Sequence, residues 1–488
     1  MLAPVKYQLH HLQVMITQVP AELYRGGWRL IVAIADVAHY VRPGSPLDKS
    51  AYDRGNSVYF PDRVVPMLPE ALSNGWCSLK PDEERACMAV RIVIDRHGEK
   101  LSHRFERSLM RSAARLTYEQ VEAARNNPTD EIPEQLSVAV IAPLYGAFTA
   151  LLAARHRRGT LDLDLPEPKV EFASPGRIAR IRPAPRFDSH KLIEEFMIAA
   201  NVAAAETLEE LGQPAIYRIH DRPDSEKVEA LREFLAGLGY RLPKGQVIQP
   251  KSFTGILDQA KDRGDASLVS ELVLRSQAQA QYSPDNIGHF GLALRRYCHF
   301  TSPIRRYADL LVHRALIGGL RFGGDGLRSD EGARFAEFGA HISGTERRAV
   351  AAERDAMDRY TVAYMEDKVG AIFPGRINGV TRFGLFIRLD ETGADGLVPM
   401  RSLRDDFYVH DEHGHCLIGQ RRKRRFTLGD PVAVRLVEAD AVTGGLLLEL
   451  AEFSDEEAGP PRPRAPRPSG QHHHRRKEGR HKGRRRGR

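Results

Sequence analysis

A break in periodicity at Gly370 divides the chain. Before it, ISGTERRAVAAERDAMDRYTVAYMEDKVG (342–370) repeats apolar residues at helical spacing. Ser343 with Glu346 reads as a capping-box start, and Gly370 as the stop. After it come AIFPGRI, GLFIRL, DGLVP, PVAVRLVEA and GGLLLEL, five short β-rich runs split by turn residues in about 85 residues. The expectation is an α+β body followed by a small β-barrel at 369–452.

The body reads as follows. WRLIVAIADVAHYV (28–41) is a buried strand, and CMAVRIVID (87–95) is a strand entering a hairpin turn at Arg96, His97 and Gly98. Residues 109–125 pass from strand to helix. Residues 188–212 form one long helix, capped by Asp188 or Ser189 and ended by Gly212. Helices are also expected at 225–239 and 266–282. Residues 1–25 are an atypical segment that contains no Asp, and the α+β body is placed at 26–368.

Net charge is +8 over 488 residues, but it is uneven. Residues 461–488 hold 12 basic side chains and one acid, a net of +11. The remainder holds 60 basic and 63 acidic side chains, a net of −3. The tail, 453–488, is rich in Pro, Arg, His and Gly, which cannot bury a core, so disorder is expected there. Any basic site in the body must be a local patch. Cys77, Cys87, Cys298 and Cys416 have no CxxC spacing, which fits a reducing cytoplasm and neither a disulfide framework nor a metal site. No apolar run reaches the ~18 residues of a membrane span, and residues 1–20 do not form a secretion signal.

Several motifs can carry chemistry. In HFTSPIRRYADLLVHR (299–314), Ser302 reads as an N-cap and Pro303 as the first helical residue. Arg305 and Arg306 then fall in the first turn, where the helix dipole disfavours cations by roughly 0.3–1 kcal/mol each. Either an anion such as phosphate sits there, or the arginines pair with Asp309. Residues 56–81 read as a long ordered loop, in which Tyr59 and Phe60 either stack on bases or fill the core. In IEEFMIAAN, Glu194 and Glu195 point about 100° apart, so one approaches the buried side and needs a partner, a ribose hydroxyl or an arginine. Glu353 and Asp355 pose the same choice against a solvated helix face. RRKRR (421–425) is either a phosphate-tracking loop beside the aromatics Phe383 and Phe386, or a solvated loop.

The run RLIVAIADVAHYVRPGSPLD…RGNSVYFPDRVVPMLPEALSNGWCSLKPDEERACM (29–88) resembles the ribonuclease II/ribonuclease R (RNB) family. RLTYEQV (115–121), HKLIEEFMIAAN (190–201), YRIHDRP (217–223), HFGLALRRYCHFTSPIRRYADLLVHR (289–314) and AAERD (351–355) follow in that family's order. The resemblance implies an RNB catalytic domain, a mixed sheet with helices around an RNA channel. An S1-type OB-fold barrel and a basic tail follow it. The implied activity is processive 3′→5′ hydrolysis of single-stranded RNA to nucleoside 5′-monophosphates, with Mg²⁺ as cofactor. The alternative is an inactive RNA-binding relative that keeps the channel. By the same resemblance Arg305 contacts the scissile phosphate and Tyr59 stacks on bases. Tyr118 lies near the cleavage point, Glu194 contacts a ribose hydroxyl, and Glu353 lies near the catalytic centre. Arg306, Phe383 and Phe386 join the RNA-binding set. Leu163 replaces the partner aromatic of Tyr59, and Pro399 replaces a frequent His in the barrel.

By the same resemblance, the family's cluster of four Asp residues, which holds the metal, falls on His11, Val14, Ile16 and Thr17. None is a carboxylate, so no Mg²⁺ ligands are expected in this chain, and hydrolysis should be severely reduced. By the resemblance, Asp36 and Asp53 occupy positions that are structural in the family. A shortened reading frame, with residues 1–24 not native, is the preferred explanation over true loss. A cytoplasmic monomer is expected, with single-stranded RNA as partner and no membrane. Ribosomes or RNA-decay factors are candidate partners of the tail.

Overall fold

The computed structural model describes residues 20–451 except 126–136, 164, 166, 246, 264–265 and 412–413. The basic tail and the four positions of the missing acidic cluster lie outside the described residues.

The α+β body is built on an antiparallel sheet of β1 (Ala21–Tyr24), β2 (Gly27–Ala35), β5 (Glu84–Ile94) and β6 (Lys100–Arg111), in the order β1-β2-β5-β6. β1 lies in the segment read as atypical. It is joined to β2 by the two-residue turn Arg25-Gly26, both at positive φ (49° and 80°), which matches the twist of the strands. Between the long strands lie the short hairpin of β3 (Val58–Tyr59) and β4 (Val64–Val65). The strand expected over 28–41 ends at Ala35. Asp36 accepts the His39 N–H and starts the short helix α1 (Val37–Tyr40).

Leu30, Val32, Met88, Val90 and Ile92 alternate onto one face of the sheet and are fully buried. The helix α5 (Asp188–Glu210) belongs to the same core through Leu192, Phe196, Ala200 and Leu208. Burial of each large side chain contributes about 1.5–3 kcal/mol. Neither Asp188 nor Ser189 caps this helix. Phe187 is the cap residue, and His190 Nδ1 accepts the Phe187 N–H. Preceding α5 in the chain are α2 (Pro46–Arg54), α3 (Tyr118–Ala123) and α4 (Ala142–Arg158). The stretch 139–158 is apolar enough by length and composition to cross a bilayer, but Leu144, Ala147, Phe148 and Leu151 bury it in this core.

A second cluster joins α6 (Ser225–Gly237), α7 (Pro250–Arg263) and α8 (Ala266–Ser276) through Leu235, Phe253 and Val269, with Leu163 packed against it. The helix expected to reach 282 stops at Ser276, and Gln281–Ser283 is a strand paired with Tyr217–Ile219. α9 (Tyr307–Gly319) is buried on every side from Tyr307 to Ile317, and its buried charges are paired, Asp309 with Arg306 and Arg314 with Asp48. α10 (Phe335–Met365) starts well before the expected capping box. Ser343 lies inside it, bonded back to the Gly339 carbonyl, and Glu346 pairs with Arg218. This helix ties the two units together: Phe338 and Ile342 sit in the first core, Val362 and Met365 in the barrel core.

The five β-rich runs form a closed barrel: Ile372–Thr381, Gly384–Leu389, Asp395–Pro399, Gly445–Leu450 and Pro431–Asp440, in that spatial order. A three-stranded sheet is inserted between them: Tyr408–Asp411, Cys416–Gly419 and Arg425–Thr427.

Candidate nucleic-acid interface

The Ser302–Arg306 turn is set by one buried carboxylate. Asp309, fully inaccessible, accepts the Ser302 N–H at 2.6 Å and a bidentate pair from Arg306 (Nε at 2.7 Å, Nη2 at 2.8 Å). The Ser302 carbonyl accepts from the amides of Arg305 and Arg306. Arg306 is extended (φ −137°, ψ 126°), and α9 begins only at Tyr307. The expectation of Ser302 as N-cap and two arginines in the first turn is therefore corrected. Both precede the helix, and the first-turn acid, Asp309, consumes one of them. Arg306 answers to the ion-pair reading, and its pKa is raised by Asp309 against the opposing effect of burial. Arg305 has no ion-pair partner among the described residues and lines a cavity of about 210 Å³.

Chain pairing brings Tyr59 to the same cavity. Ser57 N–H donates to the Arg305 carbonyl at 3.0 Å, and Tyr307 N–H donates to the Gly55 carbonyl at 2.9 Å. Gly55 has φ +71°, and a Cβ there would lie 2.0 Å from Thr345 Oγ1, so only glycine lets this strand lie against α10. Two residues past Ser57, Tyr59 N–H donates to Glu353 Oε1 at 2.7 Å. The Tyr59 ring is 38% exposed, which removes it from the core. Among the described residues it contacts no second aromatic ring, and Leu163 packs elsewhere. Arg305, Tyr59 and Glu353 thus meet at one cavity.

Tyr118 and Glu194 are not among the residues that line this cavity. Tyr118 is buried and stacks on His190 with ring centroids 3.9 Å apart; Ser189 Oγ donates to the Tyr118 carbonyl. Burial raises the Tyr118 pKa, and the Arg305 charge acts in the opposite direction. Glu194, one turn past His190, accepts from Arg155 at 3.0 Å and stays partly exposed. Glu195 is the buried member, held by the same Arg155 nitrogen at 2.6 Å. His190 was not singled out from the sequence. Its place in HKLIEEF, one turn before Glu194, was the available signal. Phe383 (65% exposed) and Phe386 (41%) stand on the barrel, with Arg382 over the Phe383 ring at 4.8 Å. RRKRR runs through the turn of the inserted sheet into its third strand.

The carboxylates of this region do not fit a Mg²⁺ ion. Glu353 is used by Tyr59, Glu346 by Arg218 and Asp309 by Arg306. Among the described residues no group of three or more His, Cys, Asp or Glu is placed to hold a metal. Asp36 is 2% exposed and paired with Arg107 at 2.6 Å, so it is structural. The arrangement combines a guanidinium with no ion-pair partner among the described residues, an exposed ring and a carboxylate that holds the ring's backbone, a set suited in chemistry to an anion beside a flat apolar group.

Comparison with known proteins identifies the family. The RNB domain model matches residues 17–321, and the S1 RNA binding domain model matches 366–450. Ribonuclease R of Escherichia coli (strain K12) is 44% identical over 421 residues, 84% of this chain and 52% of that protein. Ribonuclease R of Aquifex aeolicus is 42% identical over 429 residues, 88% of this chain and 61% of that protein. The chain thus spans little more than half the length of these relatives. The apo form of Mycoplasma genitalium RNase R superposes with a TM-score of 0.84 at 30% identity, covering 89% of this chain and 68% of that one. The same enzyme in complex with ribose methylated single-stranded RNA matches equally well. Yeast Ssd1, described as a pseudonuclease, shares the fold with a TM-score of 0.65 at 20% identity, over 82% of this chain and 49% of that one. The chain belongs to the RNB family, the family of ribonuclease R.

Proposed function

We propose that this chain grips the 3′ end of single-stranded RNA in an RNB-type channel, and that its described residues supply the grip without a hydrolytic metal centre. One observation carries the reading: Arg305, which has no ion-pair partner among the described residues, faces the same cavity as the exposed Tyr59 and the Glu353 that holds it. In this reading Arg305 forks onto a backbone phosphate, where charge-assisted bonds are about twice as strong as neutral ones. Tyr59 stacks on a base. Tyr118 and Glu194 line the path toward the terminal nucleotide, Glu194 toward a ribose hydroxyl. Phe383 and Phe386 receive bases on the barrel. Arg306 serves by fixing the turn.

The family's reaction is water attack on the last phosphodiester, releasing nucleoside 5′-monophosphates. The carboxylates around Arg305 are already committed to other partners, so no step of it is assigned here. A second reading, a competent 3′→5′ exoribonuclease, is favoured by the 44% identity to a ribonuclease R. Fluorescence anisotropy with labelled oligouridine tests the grip. Arg305→Ala should weaken binding by at least about tenfold, equivalent to ~1.4 kcal/mol. Unchanged affinity would refute the assignment.

A further inference from the structure

The five-cation run Arg421–Arg425 belongs to the inserted sheet, and the cavity that Phe386 lines does not include it. It closes the turn between the second and third strands of the inserted sheet, and all five residues are exposed. The turn is built, not loose. Asp406 accepts the backbone N–H groups of Arg421 and Arg422, at 3.0 Å and 2.6 Å. Gly419 N–H donates to the Arg424 carbonyl at 2.8 Å, and Lys423 holds a left-handed φ of 58°. Arg424 lies over the Phe426 ring and reaches Asp405 at 3.5 Å. Arg421, Arg422 and Lys423 have no ion-pair partner among the described residues.

Beside this turn stands an aromatic side chain that no motif in the sequence marks. Phe407 is 68% exposed, and its carbonyl accepts the Gln420 N–H at 2.9 Å, so ring and cations share one edge. Val409 (44% exposed) and Ile418 are cross-strand partners, and Arg425 pairs with Ile418 in turn. Partners across a sheet share a face. Phe407, Val409, Ile418 and Arg425 therefore form an outward face, while Tyr408, Leu417 and Phe426 are buried.

We propose that this inserted sheet is a second single-stranded RNA contact, separate from both the Arg305 cavity and the Phe383/Phe386 face. Phe407 is the base-stacking platform, and Arg421, Arg422 and Lys423 bind the phosphates. The charge pattern favours a polyanion, and the exposed ring beside it favours one with flat apolar groups. Three uncommitted cations on a backbone pinned by Asp406 lose little freedom on binding.

The test uses the full chain in EDTA, with oligouridines of roughly 5 and roughly 30 nucleotides. Phe407→Ala, and the triple change R421Q/R422Q/K423Q, should each weaken binding of the long RNA by roughly tenfold and leave the short RNA unchanged. The triple variant should lower the slope of log affinity against log salt by about 2, near 0.7 for each phosphate no longer neutralised. Phe407→Tyr, which keeps the ring, should bind like the parent. All four positions are exposed, so thermal stability should hold. Unchanged long-RNA affinity in Phe407→Ala would overturn the proposal, as would equal weakening of the short RNA. Loss of short-RNA binding in Arg305→Ala reports separately on the channel reading.

Discussion

The backbone N–H of Tyr59 donates to Glu353 Oε1 at 2.7 Å, joining residues 294 positions apart. One carboxylate thus fixes where an exposed ring stands relative to Arg305. Glu353→Ala removes the acceptor and should weaken oligouridine binding by about fivefold, roughly the 1 kcal/mol of one hydrogen bond. Glu353→Gln keeps a carbonyl acceptor and should bind nearly as the parent does. Equal losses in both, measured by anisotropy, would show that the charge and not the bond matters.

The adjacent arginines should separate cleanly. Arg306→Ala strands Asp309, a fully buried carboxylate, and should cost about 3–5 kcal/mol of stability in urea unfolding. Arg305→Ala breaks no ion pair found among the described residues and should leave the unfolding free energy within about 0.5 kcal/mol of the parent, while RNA affinity falls. The reverse pattern would exchange their roles.

Stability should depend on pH through histidines held neutral. Burial, with His220 and Arg218 nearby, pushes the His289 pKa down to about 3, and burial likewise depresses His299. His289 Nδ1 accepts the Leu292 N–H, which requires that nitrogen unprotonated. A depressed histidine pKa means the unfolded chain binds a proton that the folded chain refuses, between pH ~6.5 and ~3. Its contribution is full above pH ~6.5 and shrinks as pH falls, by at most about 1.4 kcal/mol per pH unit. Urea unfolding at pH 7 and pH 5 should show the loss, and His289→Asn should flatten it. Equal slopes in parent and variant would exclude His289 as a contributor.

Much of this architecture was readable in the residues. The period change at Gly370 pointed to the barrel, because alternation over short runs permits little else. The turn at Arg96-His97-Gly98 pointed to the β5–β6 hairpin. Where local reading failed, a distant partner had decided the matter. Ser302 resembles an N-cap, but its amide is taken by Asp309, which pushes the helix start to Tyr307. Ser343 and Glu346 have capping-box spacing, yet Ser343 serves Tyr282 and Glu346 serves Arg218. The choice between Glu194 and Glu195 was open in sequence, since both flank an apolar stripe; Arg155 gathers both, and only Glu195 is buried. Phe407 carries no local signal, because its worth depends on a turn some 15 residues later.

The central claim is a grip on RNA without a metal-holding carboxylate set. Purified chain should be incubated with 3′-labelled single-stranded RNA and Mg²⁺, following bound RNA and released mononucleotide in one sample. The account predicts binding that Arg305→Ala diminishes, with little or no nucleoside monophosphate. Accumulating monophosphates, abolished by Arg305→Ala, would contradict it.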